Sequence, residues 1–130
     1  MTRERRWDPV SLPDAPPPVG AYSRAVRAGD FLFVSGQLPR DPGSGELMGA
    51  TIEEQSRGAL ENLRRVLEAG GATLDDVVSV TAYLSDIGHW NAFNDIYRET
   101  FSGPYPTRTT IAAELHGALV EINAVAYLGD

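Results

Sequence analysis

The sequence contains no cysteine and no lysine, and all 11 of its basic residues are arginine. Without cysteine, the chain can form no disulfide, thiolate nucleophile or thiolate metal site. Without lysine, it cannot support Schiff-base chemistry, a pyridoxal-phosphate anchor or a Walker-type phosphate site. The two histidines, His89 and His116, do not have the spacing of a metal-binding motif. We therefore expect no metal centre.

Basic charge is also scarce, because 18 acidic residues give the chain a net charge of −7. Nucleic-acid-binding proteins normally carry a basic surface. The acidic balance makes nucleic acid an unexpected partner but leaves an RNA-acting function open. No apolar run is long enough to cross a bilayer. The charged N-terminus lacks the apolar stretch of a secretory signal, so we expect a cytoplasmic protein.

The length of 130 residues suits one compact domain. We expect an extended Pro-rich lead over residues 1–19 and a single domain over residues 20–130. The patterns predict strands at 21–28, 31–35, 77–84, 107–113 and 119–127, a short strand within 37–49, and helices from Thr51 to Gly70 and from about His89 to Phe101. Two helices on one face of a mixed sheet form a two-layer α+β sandwich.

Three interpretations concern burial. The segment Phe31-Leu32-Phe33-Val34 is expected to be a buried strand, and Trp90 is expected to pack in the core. The last strand has apolar residues of both parities, so both faces of the sheet are partly apolar. We therefore expect chains to associate through the sheet.

Arg108 and Glu121 are each the only charged residue in a short strand-like run. A fixed guanidinium can bind a substrate carboxylate, and a nearby carboxylate can move a proton on that substrate. The chain offers few other catalytic groups. This pair therefore carries most of the functional inference from the residues themselves.

An ordered set of motifs over about residues 15–127 resembles the YjgF/RidA family. The motifs are Gly20-Ala21-Tyr22-Ser23, Val34-Ser35-Gly36-Gln37-Leu38-Pro39, Gly45-Glu46, the helix from Gln55 to Gly71, Asn94-x-x-Tyr97, Pro106-Thr107-Arg108-Thr109 and Val120-Glu121-Ile122. The resemblance implies a chorismate-mutase-like fold with a mixed sheet of about six strands. It also implies a homotrimer with clefts between subunits.

The resemblance further implies a cofactor-independent hydrolase acting on C=N bonds. Such enzymes convert reactive enamines and imines, such as 2-aminoacrylate and 2-iminobutanoate, to 2-keto acids and ammonia. Arg108 matches the family's carboxylate-binding arginine and Glu121 its active-site glutamate. The other implied substrate-binding residues are Tyr22, Ser35, Gly36, Asn94 and Thr110.

The chain departs from the family pattern at three places, and three alternatives remain open. Ala21 replaces the usual proline, Thr110 replaces the common cysteine, and the turn before the last strand lacks the usual Leu-Pro. That turn borders the cleft, so a pathway-specific deaminase of another enamine acid, of the aminomuconate type, is the first alternative. A non-catalytic ligand-binding module and an RNA-acting protein are the others.

Overall fold

Six strands form one mixed sheet, and two helices pack on one of its faces. The computed structural model describes residues 4–130. The elements in chain order are β1 (Asp8–Val10), β2 (Ala25–Ala28), β3 (Phe31–Gln37), α1 (Ile52–Ala69), β4 (Val77–Leu84), α2 (Trp90–Thr100), β5 (Thr107–Ala112) and β6 (Val120–Tyr127). The predicted two-layer α+β fold is confirmed.

The spatial order of the strands is β1-β2-β3-β6-β4-β5. Neighbouring strands are antiparallel except for β4 and β5, which run parallel. A parallel pair requires a crossover connection, and α2 provides it. Within the described residues β5 pairs with β4 alone, so it lies at an edge of the sheet.

Helix α1 begins and ends as its sequence predicts. The Thr51 hydroxyl accepts a hydrogen bond from the Glu54 backbone N–H at 3.1 Å, and the Glu54 carboxylate accepts one from the Thr51 N–H at 3.3 Å. This reciprocal pair satisfies backbone donors that the first helical turn leaves open. At the other end Gly71 adopts a φ of +84°, which a residue with a side chain rarely takes, and the helix stops.

A buried glutamine on α1 connects two loops to the core. The Gln55 side-chain amide donates to the Gly49 carbonyl at 3.2 Å, and its oxygen accepts from the Leu119 N–H at 2.8 Å. Leu119 immediately precedes β6. Gln55 therefore fixes the start of the strand that carries Glu121.

One strand was not predicted, and one expectation about the strands was wrong. The extended lead contributes β1, which pairs with β2, because an extended segment can add to a free sheet edge. The region 37–49 contains an isolated bridge between Arg40 and Leu47 rather than a strand, since its prolines and glycines interrupt pairing.

Two expectations about burial also need correction. In β3, Leu32 and Val34 are buried, but Phe31 and Phe33 are exposed on the face away from the helices. Successive strand residues point to opposite faces, so this strand is buried on one face only. Trp90 is also exposed, at the start of α2, rather than buried in the core.

The sheet face away from the helices carries an apolar patch. Phe31 packs on Tyr127 at a centroid distance of 5.3 Å and lies 6.5 Å from Phe33, and all three rings are exposed. Exposed apolar patches often mark interaction surfaces. Association through this face remains a prediction.

Among residues 4–130, no helix has the length and apolar character of a membrane span.

Replacing Gln55 with leucine should destabilise the fold. Gln55→Leu keeps a similar volume but leaves the Leu119 N–H and the Gly49 carbonyl without their partner. Such a loss costs about 1–3 kcal/mol in the free energy of unfolding. Urea denaturation would measure it, with the exposed α1 variant Arg65→Ala expected to stay within about 0.5 kcal/mol of wild type. Equal stability of the two variants would contradict the bridging role.

Candidate functional site

Arg108 lies on the edge strand β5 with its guanidinium over aromatic side chains of α2. Its central carbon is 4.5 Å from the ring centroid of Tyr97, 5.3 Å from that of Trp90 and 5.6 Å from that of Phe93. Positions 90, 93 and 97 are spaced so that they share one face of the helix. Cation–π attraction to these rings restricts where the guanidinium can lie.

The half-buried Arg108 has no ion-pair or hydrogen-bond partner among residues 4–130. The aromatic rings attract its charge without occupying its N–H donors. A planar guanidinium presents these donors in a fork that matches a carboxylate. The arrangement is therefore suited to binding an anionic ligand.

A cavity of about 370 Å³ opens beside the guanidinium. It is lined by Asn94, Tyr97, Arg98, Tyr105, Pro106 and Arg108. The structure thus places the predicted residues Asn94 and Arg108 together. Thr110 shares the strand parity of Arg108 and pairs with Ala82 of β4, so it lies farther along the same side of β5.

Tyr97 is a buried wall of this cavity. Its hydroxyl oxygen is buried and has no hydrogen-bond partner in the described part of the chain. Burial raises the pKa of Tyr97 to about 12, although the nearby Arg108 opposes the shift. The phenol therefore stays protonated at neutral pH, and its ring remains a neutral platform for the Arg108 cation.

Glu121 lies on the opposite face of the sheet. It pairs with Tyr83 of β4, whereas Arg108 pairs with Val80, whose side chain is in the core. Burial raises the pKa of the Glu121 carboxyl above its ordinary value, and the charge of His116 partly opposes this. A carboxyl with a raised pKa is better able to exchange protons near neutral pH.

A glycine in β3 makes room for the Glu121 carboxyl group. A Cβ added to Gly36 would lie 2.8 Å from Glu121 Cδ and closer still to Oε1. The pairing of β3 with β6 shifts register between Val34 and Gln37, which is typical of a β-bulge. The bulge and the missing side chain at Gly36 together form the recess in which the carboxyl lies.

Ser35 and Tyr22 lie near this recess. The Ser35 hydroxyl donates to the Ser23 carbonyl at 2.6 Å, so its proton is already used inside the chain. Tyr22 is 55% exposed and lines a second cavity, of about 290 Å³, together with Gly36 and part of the Pro-rich lead. Gly36 thus borders both the Glu121 recess and the cavity that Tyr22 lines.

The predicted site residues therefore fall into two groups. Asn94, Arg108 and Thr110 are on the helix side of β5 and on α2, whereas Glu121 lies on the face that the helices leave uncovered. The expectation that the carboxylate lies near the guanidinium does not hold within one chain. A site using both would need two chains.

Comparisons with known proteins establish the family. Residues 12–128 match the model of the endoribonuclease L-PSP family. The chain belongs to this family. It is the YjgF/RidA family that the sequence resembles, so that prediction is confirmed.

Three relatives illustrate the match. A RutC family protein of Pyrococcus horikoshii is 42% identical over 116 residues, which cover 88% of this chain and 92% of that protein. The human 2-iminobutanoate/2-iminopropanoate deaminase is 37% identical over 122 residues, 92% of this chain and 89% of the human protein. The crystal structure of E. coli TdcF with bound serine aligns at a TM-score of 0.85 and 28% identity, covering 94% of this chain and 99% of TdcF.

Sequence reasoning missed several residues of this YjgF/RidA chain that line the Arg108 cavity or lie near Glu121. Arg98 follows Asn94 by four positions on α2, a spacing that could have indicated its place in the cavity. Tyr105 follows the helix, and nothing in its sequence context signalled its role. His116 is in a turn with a φ of +53° and is near enough to affect the pKa of Glu121. Among residues 4–130, no cluster of three or more His, Cys, Asp or Glu residues could hold a metal ion.

Removing the Glu121 charge should change how stability depends on pH. Because the folded pKa is raised above the ordinary value of 4.5, stability is greatest below that value and falls as pH rises through the folded pKa. Glu121→Gln has no carboxyl at this position, so it does not lose this stability as pH rises. Its Tm should exceed that of wild type at neutral pH, and the difference should shrink towards pH 4.

Thermal unfolding from pH 4 to pH 8 would measure this difference. The exposed variant Glu114→Gln controls for the loss of one negative charge from an acidic chain. A Tm difference for Glu121→Gln that does not vary with pH would contradict the desolvation of this carboxyl.

Proposed function

We propose that this protein is a cofactor-independent deaminase that hydrolyses 2-imino acids, such as 2-iminobutanoate, and their enamine tautomers to 2-keto acids and ammonia. One observation carries the proposal. The Arg108 guanidinium is held by aromatic rings at a cavity and has no anionic partner in the described residues. It is suited to receive the carboxylate that every such substrate carries.

Arg108 would bind the substrate carboxylate through two parallel N–H···O hydrogen bonds. This contact fixes the adjacent C=N carbon for attack by water. Water adds to that carbon, and the imine nitrogen gains a proton, giving a carbinolamine. Loss of ammonia from the carbinolamine then leaves the keto group.

Glu121 would move the protons in these steps. It accepts a proton from the attacking water and gives one to the imine nitrogen, and it then accepts the carbinolamine hydroxyl proton and gives one to the departing nitrogen, so it is regenerated in each cycle. Its raised pKa favours such exchange near neutral pH. Imine hydrolysis also proceeds in water, so an acceleration of about 10²–10⁴-fold from a positioned acid–base group suffices.

The separation of Arg108 and Glu121 within one chain requires a shared site. We propose a ring of three chains in which β5 and α2 of one chain face the uncovered sheet surface of the next. Such a head-to-tail contact uses two different surfaces and closes into a ring. The exposed aromatic patch of Phe31, Phe33 and Tyr127 supplies apolar area for this association.

The comparisons support the same chemistry. The human relative is named for the deamination of 2-iminobutanoate and 2-iminopropanoate. TdcF was crystallised with serine, a small molecule that carries a carboxylate beside its nitrogen-bearing carbon. The name of the matching endoribonuclease L-PSP family also suggests RNA cleavage as a function. The net charge of −7 disfavours a polyphosphate partner such as RNA.

Arg108→Ala should keep the fold and lower kcat/KM for 2-iminobutanoate by at least about 100-fold, because the carboxylate loses a charge-assisted, bidentate contact. The imine would be generated in situ from its amino acid, and keto-acid release would be followed by a coupled assay. Arg57→Ala, which removes an exposed arginine on α1, is the control. Wild-type activity in Arg108→Ala would overturn the assignment.

Two inactive variants should complement each other if the site is shared. Co-expressed Arg108→Ala and Glu121→Ala chains would form mixed rings in which about a quarter of the sites have both residues intact. We expect about a quarter of the wild-type activity, against almost none for either variant alone. Mixed oligomers that form but show no activity would refute the proposal that two chains share the site.

A further inference from the structure

We propose that the Arg108 cavity selects imines of dicarboxylic amino acids, of the 2-iminosuccinate and 2-iminoglutarate class, over imines with short apolar side chains. This inference rests on the proposed deaminase function and specifies its substrate class. Two of the six residues lining the cavity, Arg98 and Arg108, are cationic, and none is acidic. A substrate with one carboxylate would use only one of these cations.

Arg98 is positioned by α2. It follows Asn94 by four residues, so both lie on the helix face that borders the cavity. Arg108 enters from β5 on another side. The two guanidiniums therefore come from separate elements and converge on one space, as a ligand with anionic groups at both ends requires.

The intramolecular partner of Arg98 holds it weakly. Its guanidinium lies 3.5 Å from the Asp95 carboxylate, and both side chains are more than 60% exposed. Exposed pairs of this kind contribute little to stability. Arg98 can therefore turn to a ligand at small cost, whereas Arg108 is held in place by three rings.

The charge balance of the chain makes this pair of arginines unusual. Of the 29 charged residues, 18 are acidic and 11 are arginine, yet the cavity lining contains two arginines and no acid. A cavity lined by one sign of charge concentrates ligands of the opposite sign. The rings of Tyr97 and Tyr105, with centroids 6.5 Å apart, provide an apolar wall for the carbon chain between the two carboxylates.

The cavity also has room for a longer substrate. In one chain it measures about 370 Å³ and is open to solvent on one side, where the next chain of the proposed ring would cover it. An imino acid with a two-carbon side chain would leave much of it to water. A second carboxylate reaching towards Arg98 would fill more of the space and replace that water with a charge-assisted contact.

The test compares 2-iminoglutarate with 2-iminobutanoate, each generated in situ by an amino-acid oxidase, in wild-type protein and in Arg98→Gln. We expect wild type to prefer 2-iminoglutarate. In Arg98→Gln, the ratio of kcat/KM for 2-iminoglutarate to kcat/KM for 2-iminobutanoate should fall about tenfold or more. Arg98→Lys should retain part of the preference because it keeps the charge.

Arg57→Gln is the matched control. Arg57 is also an exposed helix arginine with an exposed carboxylate partner, Glu99 at 3.3 Å, but it does not line the cavity. Arg57→Gln should change kcat/KM for neither 2-iminoglutarate nor 2-iminobutanoate. Turnover of 2-iminobutanoate with no preference for 2-iminoglutarate, or with no effect of Arg98→Gln, would overturn the dicarboxylate inference and leave the deaminase proposal intact.

A binding measurement separates failure of this inference from failure of the proposed function. Calorimetric titration with 2-oxoglutarate and 2-oxobutanoate requires no turnover. Tighter binding of 2-oxoglutarate that disappears in Arg98→Gln would support the dicarboxylate site even if neither imine were hydrolysed. Equal binding of the two keto acids by wild type would refute it.

Discussion

The alternation of side chains across the sheet is the constraint on which the candidate site depends. Core packing fixes this alternation, because Val80 on β4 and Ile122 on β6 are buried against the helices. The pairing of β5 with β4 then puts Arg108 on the helix side, and Glu121, next to Ile122, must point to the other side. A shift of either strand by one residue would bury its charge or expose its core residues, so packing fixes both positions.

Helix α2 has two roles that depend on each other. As the crossover between β4 and β5, it must pack against the sheet beside the edge strand. The same packing brings Trp90, Phe93 and Tyr97 under the Arg108 guanidinium. An acidic residue at one of these positions would neutralise the cation, whereas a ring attracts it and leaves its donors available. The cavity is thus a consequence of how the parallel pair is connected.

Local signals in the sequence predicted much of the fold. The start of α1 at Thr51 and the two strands that flank Gly29-Asp30 depend on residues close in sequence, and these elements form as predicted. β1 was missed because its three residues become a strand only by pairing with β2. The sequence also shows which strand neighbours share a face with Arg108 and which share a face with Glu121. It does not show whether these two residues lie on the same face of the sheet, because this depends on pairing through β4, which connects residues far apart in the chain. Trp90 was misassigned since its apolar spacing puts it on the inward face of α2, whereas its ring is exposed at the start of the helix.

In the proposed assembly the electrostatics of the two groups become linked. In an empty site the Arg108 cation of one chain would reduce, without reversing, the rise that burial gives the Glu121 pKa in the next chain. A substrate carboxylate bound to Arg108 would neutralise that cation and displace water. Without that opposition, burial would raise the Glu121 pKa further when substrate is present. The carboxyl would thus be better able to protonate the substrate nitrogen once the carboxylate of the imine is in place. Neither chain alone could couple the two events, since the sheet separates the groups within each.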